Sequence, residues 1–256
     1  MAARKGRFDW FDLMTPDVAA ARSFYTAVIG WKTTKWEQAD YEMWTVGNET
    51  IGGMMALPAE ETKRGTPPHW LAHIETDDVD ATVKKAQELG GKVLRPGTDI
   101  PTVGRFAILA DPQGAIFGVF RPQEPMNDAP RKPGYFTWHE LNTTDYQGAW
   151  KFYSELFGWK HTRSMDMGPE MGAYWMFGYD AQTSLGGMSN VAVQMKVPAH
   201  WLYYVSVEDL DAALARVKQL GGQILNGPME VPGGDRIAQC MDPQGGMFAL
   251  HMSPQS

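Results

Sequence analysis

One stretch of this sequence occurs twice, and the repeat constrains the fold more than any other feature. The segment from Pro67 to Phe120 returns from Pro198 to Leu250 at an offset of 131, as from His69 to His200. Each copy contains a His-Trp-Leu start, a Leu-Gly-Gly helix end and an Asp-Pro-Gln-Gly turn. Because repeated units fold alike, we expect the chain to be built from similar modules.

The segment before each copy is also repeated. Phe8 to Met14 is typical of a strand, and the pattern that follows predicts a helix with Thr15 as its N-cap and Gly30 as its end. Three further strands are predicted between residues 31 and 56. The same pattern returns from Phe136, at an offset of 128. The chain is therefore predicted to contain four β-α-β-β-β modules, paired into two similar domains.

The proline-rich stretch between the two halves is predicted to be an interdomain linker. We expect a first domain at 1–122 (modules 7–57 and 67–122), a linker at 123–134, and a second domain at 135–256 (modules 135–192 and 198–253). The third module is longer than the first, and we place its extra residues in the loop around 166–172.

Composition excludes several classes of partner. The formal net charge is −7 and no Lys/Arg run occurs, so neither nucleic acid nor an anionic membrane surface is an expected partner. No apolar run reaches the length of a membrane span, and no signal peptide is recognisable. The single cysteine, Cys240, predicts a buried core thiol. A cytoplasmic monomer or homodimer is expected.

Shared motifs indicate a family. The sequence resembles the vicinal oxygen chelate superfamily, which includes glyoxalases, bleomycin resistance proteins and extradiol dioxygenases. The residues that carry the resemblance are Phe24-Tyr25, Gly30-Trp31 and Asp111-Pro112-Gln113-Gly114, with their second-half copies Phe152-Tyr153, Gly158-Trp159 and Asp242-Pro243-Gln244-Gly245. The resemblance implies an α+β fold of open-barrel domains, each built from two βαβββ modules around a cavity. It does not fix the function, since this fold hosts several chemistries.

The positions that the resemblance assigns to metal ligands carry other residues. In metal-using members, these ligands are His, Glu or Gln on the first and last strands of each module. Here the first-strand positions are Trp10, Leu71, Trp138 and Leu202, and the last-strand positions are Gly53, Gly118, Gly187 and Ala249. None of these side chains coordinates a metal. We therefore predict no metal and no other cofactor.

Trp10 and Trp138 at these positions predict an aromatic floor of a ligand cavity, and the alternative is that they only fill the barrel. An acidic residue lies two positions after each of these tryptophans. Side chains two apart on a strand share a face, so Asp12 is predicted to lie beside Trp10, and Glu140 beside Trp138. Each acid is a candidate general base or ligand anchor. The alternative is a carboxylate that bonds backbone groups or an arginine.

Histidines recur on the second and fourth modules. His69 and His200 are candidate acid–base partners of Asp12 and Glu140. One alternative is that they cap backbone groups at the start of a strand, and another is that they form a displaced metal site with the two acids. By alternation, four more residues are predicted to face the ligand with them: Leu71, His73, Leu202 and Tyr204.

Arginines and aromatic residues complete the candidate set. Arg105 and Arg236 recur in both halves and are predicted either to hold a ligand carboxylate or to form structural salt bridges. Trp44, which corresponds roughly to Met176, is predicted to line an aromatic cavity, with core packing as the alternative.

These observations favour a protein that binds a small organic ligand in an aromatic cavity. The alternative is a glyoxalase-like lyase or isomerase that acts on a reactive aldehyde or hydroxy-carbonyl compound. In that case Asp12 and Glu140 would be the acid–base groups.

Overall fold

The computed structural model of the protein describes residues 5–124, 132–169 and 172–254. The elements of the first half are β1 (Phe8–Thr15), α1 (Val18–Ile29), β2 (Lys32–Trp36), β3 (Tyr41–Val46), β4 (Glu49–Ala56), α2 (Ala59–Lys63), β5 (His69–Glu75), α3 (Val79–Glu88), β6 (Lys92–Ile100), β7 (Gly104–Ala110) and β8 (Ile116–Pro122). Most of the predicted linker and residues 170–171 of the predicted loop lie outside the described residues.

The second half repeats this order. Its elements are β9 (Phe136–Asn142), α4 (Tyr146–Phe157), β10 (Lys160–Asp166), β11 (Ala173–Gly178), β12 (Gly186–Ser189), α5 (Val191–Met195), β13 (His200–Ser206), α6 (Leu210–Gln219), β14 (Gln223–Glu230), β15 (Arg236–Met241) and β16 (Met247–Met252). Each half therefore contains the predicted β-α-β-β-β pattern twice. In the described part of the chain, no helix is long and apolar enough to cross a membrane.

The four long helices begin at equivalent aspartates. The carboxylates of Asp17, Asp78, Asp145 and Asp209 each accept a hydrogen bond from the backbone N–H three residues later. The prediction of Thr15 as the first N-cap was wrong, because Thr15 ends β1 and its Oγ1 donates to Gln244 Oε1.

Two eight-stranded sheets form the fold, in the orders β2-β3-β4-β1-β5-β8-β7-β6 and β10-β11-β12-β9-β13-β16-β15-β14. Within each module the first strand pairs in parallel with the last, as β1 does with β4 and β5 does with β8. The remaining neighbours within each module pair antiparallel. The predicted α+β class with two paired sets of modules is confirmed.

Strand β6 is longer than the sequence predicts. The Pro96-Gly97 pair predicts an end at Arg95, but the strand continues through both residues to Ile100. It lies at the edge of its sheet, and its pairing with β7 shifts register between Arg95 and Thr98. A proline is tolerated there because an edge strand leaves one side without ladder hydrogen bonds.

The described residues fall into two compact units, each drawn from both halves of the sequence. One lies within 1–9, 72–128 and 138–201, and the other within 10–71, 129–137 and 202–256. In the second unit the helices α1 and α6 pack together, and in the first α3 packs on α4. The division into domains at 1–122 and 135–256 stays a prediction.

Each compact unit has its own aromatic core. One packs Trp31, Trp44 and Trp70 around the buried Tyr25, and the other packs Trp159, Phe177 and Trp201 around the buried Tyr153. Large aromatic side chains of this kind supply most of the apolar area that a core buries.

The shared motifs join within these cores through a buried carboxylate. Tyr25 OH donates to Asp242 Oδ2 over 2.9 Å and accepts from Trp70 Nε1. Tyr153 OH makes the same contacts to Asp111 and Trp201 in the other unit. Burial is the main cause that raises the pKa of Asp111, against the opposing effect of its hydrogen bonds. The Phe-Tyr and Asp-Pro-Gln-Gly motifs are thus structural.

Candidate functional site

The first group of candidate residues lies in the middle of β1, where Trp10 and Asp12 project from the same face. Trp10 Nε1 lies 3.1 Å from Asp12 Oδ1 and 2.7 Å from Tyr41 OH, and donates to both. Tyr41 OH in turn donates a short hydrogen bond to Asp12 Oδ1. We call Trp10, Asp12 and Tyr41 the first triad. Its carboxylate is buried and receives two donors at one oxygen.

The hydroxyl of Tyr41 stays protonated over the physiological range. Burial, followed by the neighbouring Asp12 carboxylate, raises the pKa of Tyr41 far above its ordinary value. The group is therefore a permanent donor to Asp12. A tyrosine in this state orients the carboxylate and does not act as a base.

An equivalent group recurs on β9. Trp138 Nε1 donates to Tyr174 OH over 2.9 Å, and Tyr174 OH donates to Glu140 Oε2 over 3.0 Å. We call Trp138, Glu140 and Tyr174 the second triad. Both triads thus combine an indole, a phenol and a carboxylate, and each lies wholly within one compact unit.

Glycines make room for the two tyrosine rings. Gly53 pairs with Asp12 across β1 and β4, and Gly187 pairs with Glu140 across β9 and β12. A Cβ atom added at Gly53 would overlap the ring of Tyr41, and one added at Gly187 would overlap the ring of Tyr174. The phenol of each triad therefore lies in the space that a side chain at the glycine would fill.

This arrangement does not fit the metal centre of the metal-using relatives. The resemblance assigns last-strand ligands to Gly53 and Gly187, where a tyrosine ring now fills the space. It assigns first-strand ligands to Trp10 and Trp138, whose indoles are donors only. The two indoles and the two glycines at the assigned positions supply none of the oxygen, imidazole or thiolate lone pairs that bind a cation.

The corresponding position in the second module is filled in the same way. Gly118 pairs with His73 across β5 and β8, and a Cβ atom at Gly118 would overlap the His73 ring. His73 is buried beside Phe106 and Phe120. Across the described ranges, no three His, Cys, Asp or Glu residues come together as a possible metal site.

The predicted histidine partners lie at the starts of β5 and β13. His69 Nδ1 is 2.8 Å from Pro67 O, and His200 Nδ1 is 2.9 Å from Pro198 O. In both histidines the Nδ1 proton is therefore donated to a backbone carbonyl, and Nε2 faces away from that carbonyl. His200 Nε2 lies 3.4 Å from Asn142 Nδ2.

Other predicted binding residues occupy buried places. Leu71, Leu202 and Tyr204 are almost fully buried, and the hydroxyl of Tyr204 accepts from Gln239 Nε2. Trp44 is completely buried in the core around Tyr25. The predicted counterpart of Trp44 was wrong. The strand register pairs Trp44 with Gly52 and Phe177 with Gly186, so the counterpart of Trp44 is Phe177 and not Met176.

The two recurring arginines are held in ion pairs on the protein surface. Arg105 donates to Asp80 and Asp99, and Arg236 donates to both oxygens of Asp211. Cys240 is buried, and burial raises the pKa of its thiol to about 12. A thiol in this state is not a nucleophile at neutral pH.

Sequence reasoning missed the polar partners of the two acids. Tyr41 and Tyr174 were not among the candidate residues, although Gly53 and Gly187 were the available signal for a side chain that crosses above them. Asn142 was also missed. It lies two residues beyond Glu140 on the same face, and its Nδ2 is 3.4 Å from Glu140 Oε1.

The triads are suited to holding a ligand by one polar group beside an aromatic surface. Each carboxylate is fixed in orientation by donors, and each indole is partly exposed. Aromatic faces favour flat or apolar ligands, while a buried carboxylate accepts from a ligand hydroxyl or amine. A carboxylate oriented in this way is also a possible proton acceptor.

Comparison with known proteins agrees with this architecture. The profile of the Glyoxalase/Bleomycin resistance protein/Dioxygenase superfamily matches residues 7–119 and 134–250. The chain is 33% identical to CFP32 of Mycobacterium tuberculosis, provisionally named a glyoxylase, over 98% of this chain and 97% of that protein. It is 31% identical to the anthracycline biosynthesis protein DnrV of Streptomyces peucetius, over 94% of this chain and 91% of DnrV.

Solved structures share the fold at low sequence identity. The Mn(II)-bound glyoxalase from Novosphingobium aromaticivorans aligns with a TM-score of 0.67 and 15% identity, over 98% of this chain and 83% of that chain. The 2,3-dioxygenase LapB from Pseudomonas sp. KL28 aligns with a TM-score of 0.66 and 12% identity, over 99% of this chain and 94% of that chain. The chain belongs to the Glyoxalase/Bleomycin resistance protein/Dioxygenase superfamily.

Proposed function

We propose that this protein binds a small organic ligand against its Trp–Tyr–acid triads, without the metal that other superfamily members use. The observation that carries the proposal is the repeated tyrosine above a glycine. Tyr41 crosses Gly53 and donates to Asp12, and Tyr174 crosses Gly187 and donates to Glu140. Both halves thus have a tyrosine hydroxyl in the space where the resemblance assigns a metal ligand. This is consistent with a common function for the two triads.

The chemistry of the triads supports a flat, largely apolar ligand with one polar group. The indoles of Trp10 and Trp138 offer stacking surfaces, and the carboxylates of Asp12 and Glu140 offer hydrogen-bond acceptors. The relative DnrV is named for anthracycline biosynthesis, and anthracyclines are polycyclic aromatic compounds. An aromatic ligand is therefore the class that we propose for this chain.

Binding is tested by titrating the protein with 2-methylnaphthalene, an apolar aromatic probe. NMR records the indole N–H resonances of Trp10 and Trp138 during the titration. Assignment uses W10F and W138F. We expect these two resonances to shift on titration, whereas that of the buried Trp44 does not. An absence of shifts at both triads would contradict the proposal.

A second candidate function is a lyase or isomerase in which Asp12 and Glu140 are the acid–base groups. It is favoured by the fixed orientation of both carboxylates, each held by a tyrosine hydroxyl. It predicts turnover of an aldehyde or hydroxy-carbonyl compound that falls about 10²–10⁴-fold in D12N and E140Q. Ligand binding alone predicts no turnover to lose, and probe affinity largely intact in both variants.

A further inference from the structure

The two triads differ at the next residue along the same face. Met14 follows Asp12 by two positions, and Asn142 follows Glu140 by two positions. The strand register pairs Met14 with Met55 in the first half and Asn142 with Ser189 in the second. An apolar pair in one half is therefore a polar pair in the other.

The polar pair is buried and incompletely hydrogen-bonded. Asn142 is 4% exposed and Ser189 is 1% exposed. Neither Asn142 Oδ1 nor Ser189 Oγ has a hydrogen-bond partner among the described residues. Buried polar atoms are costly when they lack partners, so each such atom in a native fold calls for one.

The amide of Asn142 has a defined orientation. Its Nδ2 lies 3.4 Å from Glu140 Oε1 and 3.4 Å from His200 Nε2. Both contacts need an N–H donor, because Glu140 is a carboxylate and His200 directs its Nδ1 proton at Pro198 O. Asn142 Oδ1 is therefore directed away from these two groups, and no donor reaches it among the described residues.

We propose that Asn142 and Ser189 form a subsite for a ligand hydroxyl, and that this subsite exists only beside the second triad. A hydroxyl donates one hydrogen bond and accepts others, so it matches both atoms at once. It donates to Asn142 Oδ1 and accepts from the Ser189 hydroxyl. A carbonyl or ether oxygen would satisfy Ser189 alone.

This inference rests on the proposed function, and it names the substrate class of the second triad as an alcohol, phenol or enol on an aromatic frame. Met14 and Met55 offer a ligand no hydrogen-bonding group of this kind, so the first triad favours apolar ligands. Discrimination of this kind is strong because a ligand that lacks the hydroxyl leaves the buried polar atoms of the protein unpaired.

The test compares 2-naphthol with 2-methylnaphthalene, which replaces the hydroxyl by a methyl group of similar size. Affinities are read separately at Trp138 and Trp10 from their indole N–H shifts. We expect 2-naphthol to bind about tenfold more tightly than 2-methylnaphthalene at Trp138 and no more tightly at Trp10. Equal affinities at Trp138 would overturn the subsite.

Exchange of the two residue pairs is the matched control. The double variant N142M/S189M gives the second half the residues of the first, and it should lose the preference for 2-naphthol while 2-methylnaphthalene still binds. The reciprocal M14N/M55S should gain a preference at Trp10. Should N142M/S189M fail to fold, S189A replaces it and should weaken 2-naphthol alone. A preference unchanged by these substitutions would overturn the proposal.

The outcomes separate this inference from the proposed function. Binding of 2-methylnaphthalene without a preference for 2-naphthol would leave the proposed function standing and remove the hydroxyl subsite, as expected if an ordered water fills it. Failure of both probes to bind at either triad would remove the proposed function as well.

Discussion

The first and second triads share a frame and differ in what surrounds it. In both, a tyrosine crosses a glycine and donates to the acid. In the first triad Asp12 Oδ1 receives both Tyr41 and Trp10, whereas in the second Glu140 divides its oxygens between Tyr174 and Asn142. Glu140 therefore has a donor at each of its two oxygens. The repeat therefore preserves the tyrosine–acid contact and varies the side chains beside it.

The strongest test of the shared frame is to fill the space under each tyrosine. G53A and G187A each place a methyl group against a tyrosine ring, and we expect a loss of about 3 kcal/mol in unfolding free energy. Urea denaturation measures this loss. G47A is the control, since Gly47 has a positive φ but open space around it, and only backbone strain is expected.

A double-variant cycle sharpens this test. If overlap with the ring is the cause, Y41A combined with G53A should cost less than the sum of the two single changes. Strictly additive losses would show that the ring and the glycine do not share one space.

The tyrosine hydroxyls provide the next largest effect, and here the two triads should differ. Y41F removes a donor from the buried Asp12, so we expect a loss of about 1.5 kcal/mol in unfolding free energy, and a smaller loss for Y174F because Glu140 is only half-buried. The control Y135F removes another tyrosine–carboxylate bond, to the exposed Glu49. Equal losses for Y41F and Y174F would argue against burial as the cause of the difference.

Much of the architecture could be predicted from the sequence because it depends on local chemistry that is repeated. Gly30 ends α1 with a φ of 91°, as a glycine C-cap predicts. The short helix α2 was not predicted, since its five residues, Ala59–Lys63, are too few to show a helical period.

The candidate site could be predicted only in part. Alternation along one strand correctly places Trp10 beside Asp12, because side-chain parity is a local property. The contact from Tyr41 depends on how β3 pairs with β4, and that pairing shifts register between Trp44 and Thr45. Such a bulge reverses the parity of a strand and leaves no clear mark in the sequence.

The raised pKa of Tyr41 predicts a further difference at alkaline pH. The folded protein keeps a proton on Tyr41 above pH about 10, where the unfolded chain loses it. Folding stability therefore falls as pH rises above this point, by at most about 1.4 kcal/mol per pH unit for this group. Denaturation between pH 9 and 11 in ~0.5-unit steps should show a shallower fall in Y41F than in the wild type. Parallel curves would contradict the assignment.

The smallest effect is expected from the recurring arginines. Arg105 and Arg236 are held by aspartates on the surface, so R105Q and R236Q should leave the affinity of both triads for 2-methylnaphthalene unchanged. NMR titration of the Trp10 and Trp138 resonances measures this. A marked loss of affinity in either variant would instead support the ligand-binding role that the sequence suggested.

The central claim is that tyrosine–acid pairs have replaced the metal centre of the superfamily. Elemental analysis of untagged protein, purified without chelator, tests it most directly. Since Trp10, Gly53, Trp138 and Gly187 supply no ligating atoms, we predict metal far below one equivalent per triad. One tightly held Ni, Zn, Fe or Mn ion per triad would contradict the claim. It would favour a metal-dependent enzymatic function over metal-free ligand binding.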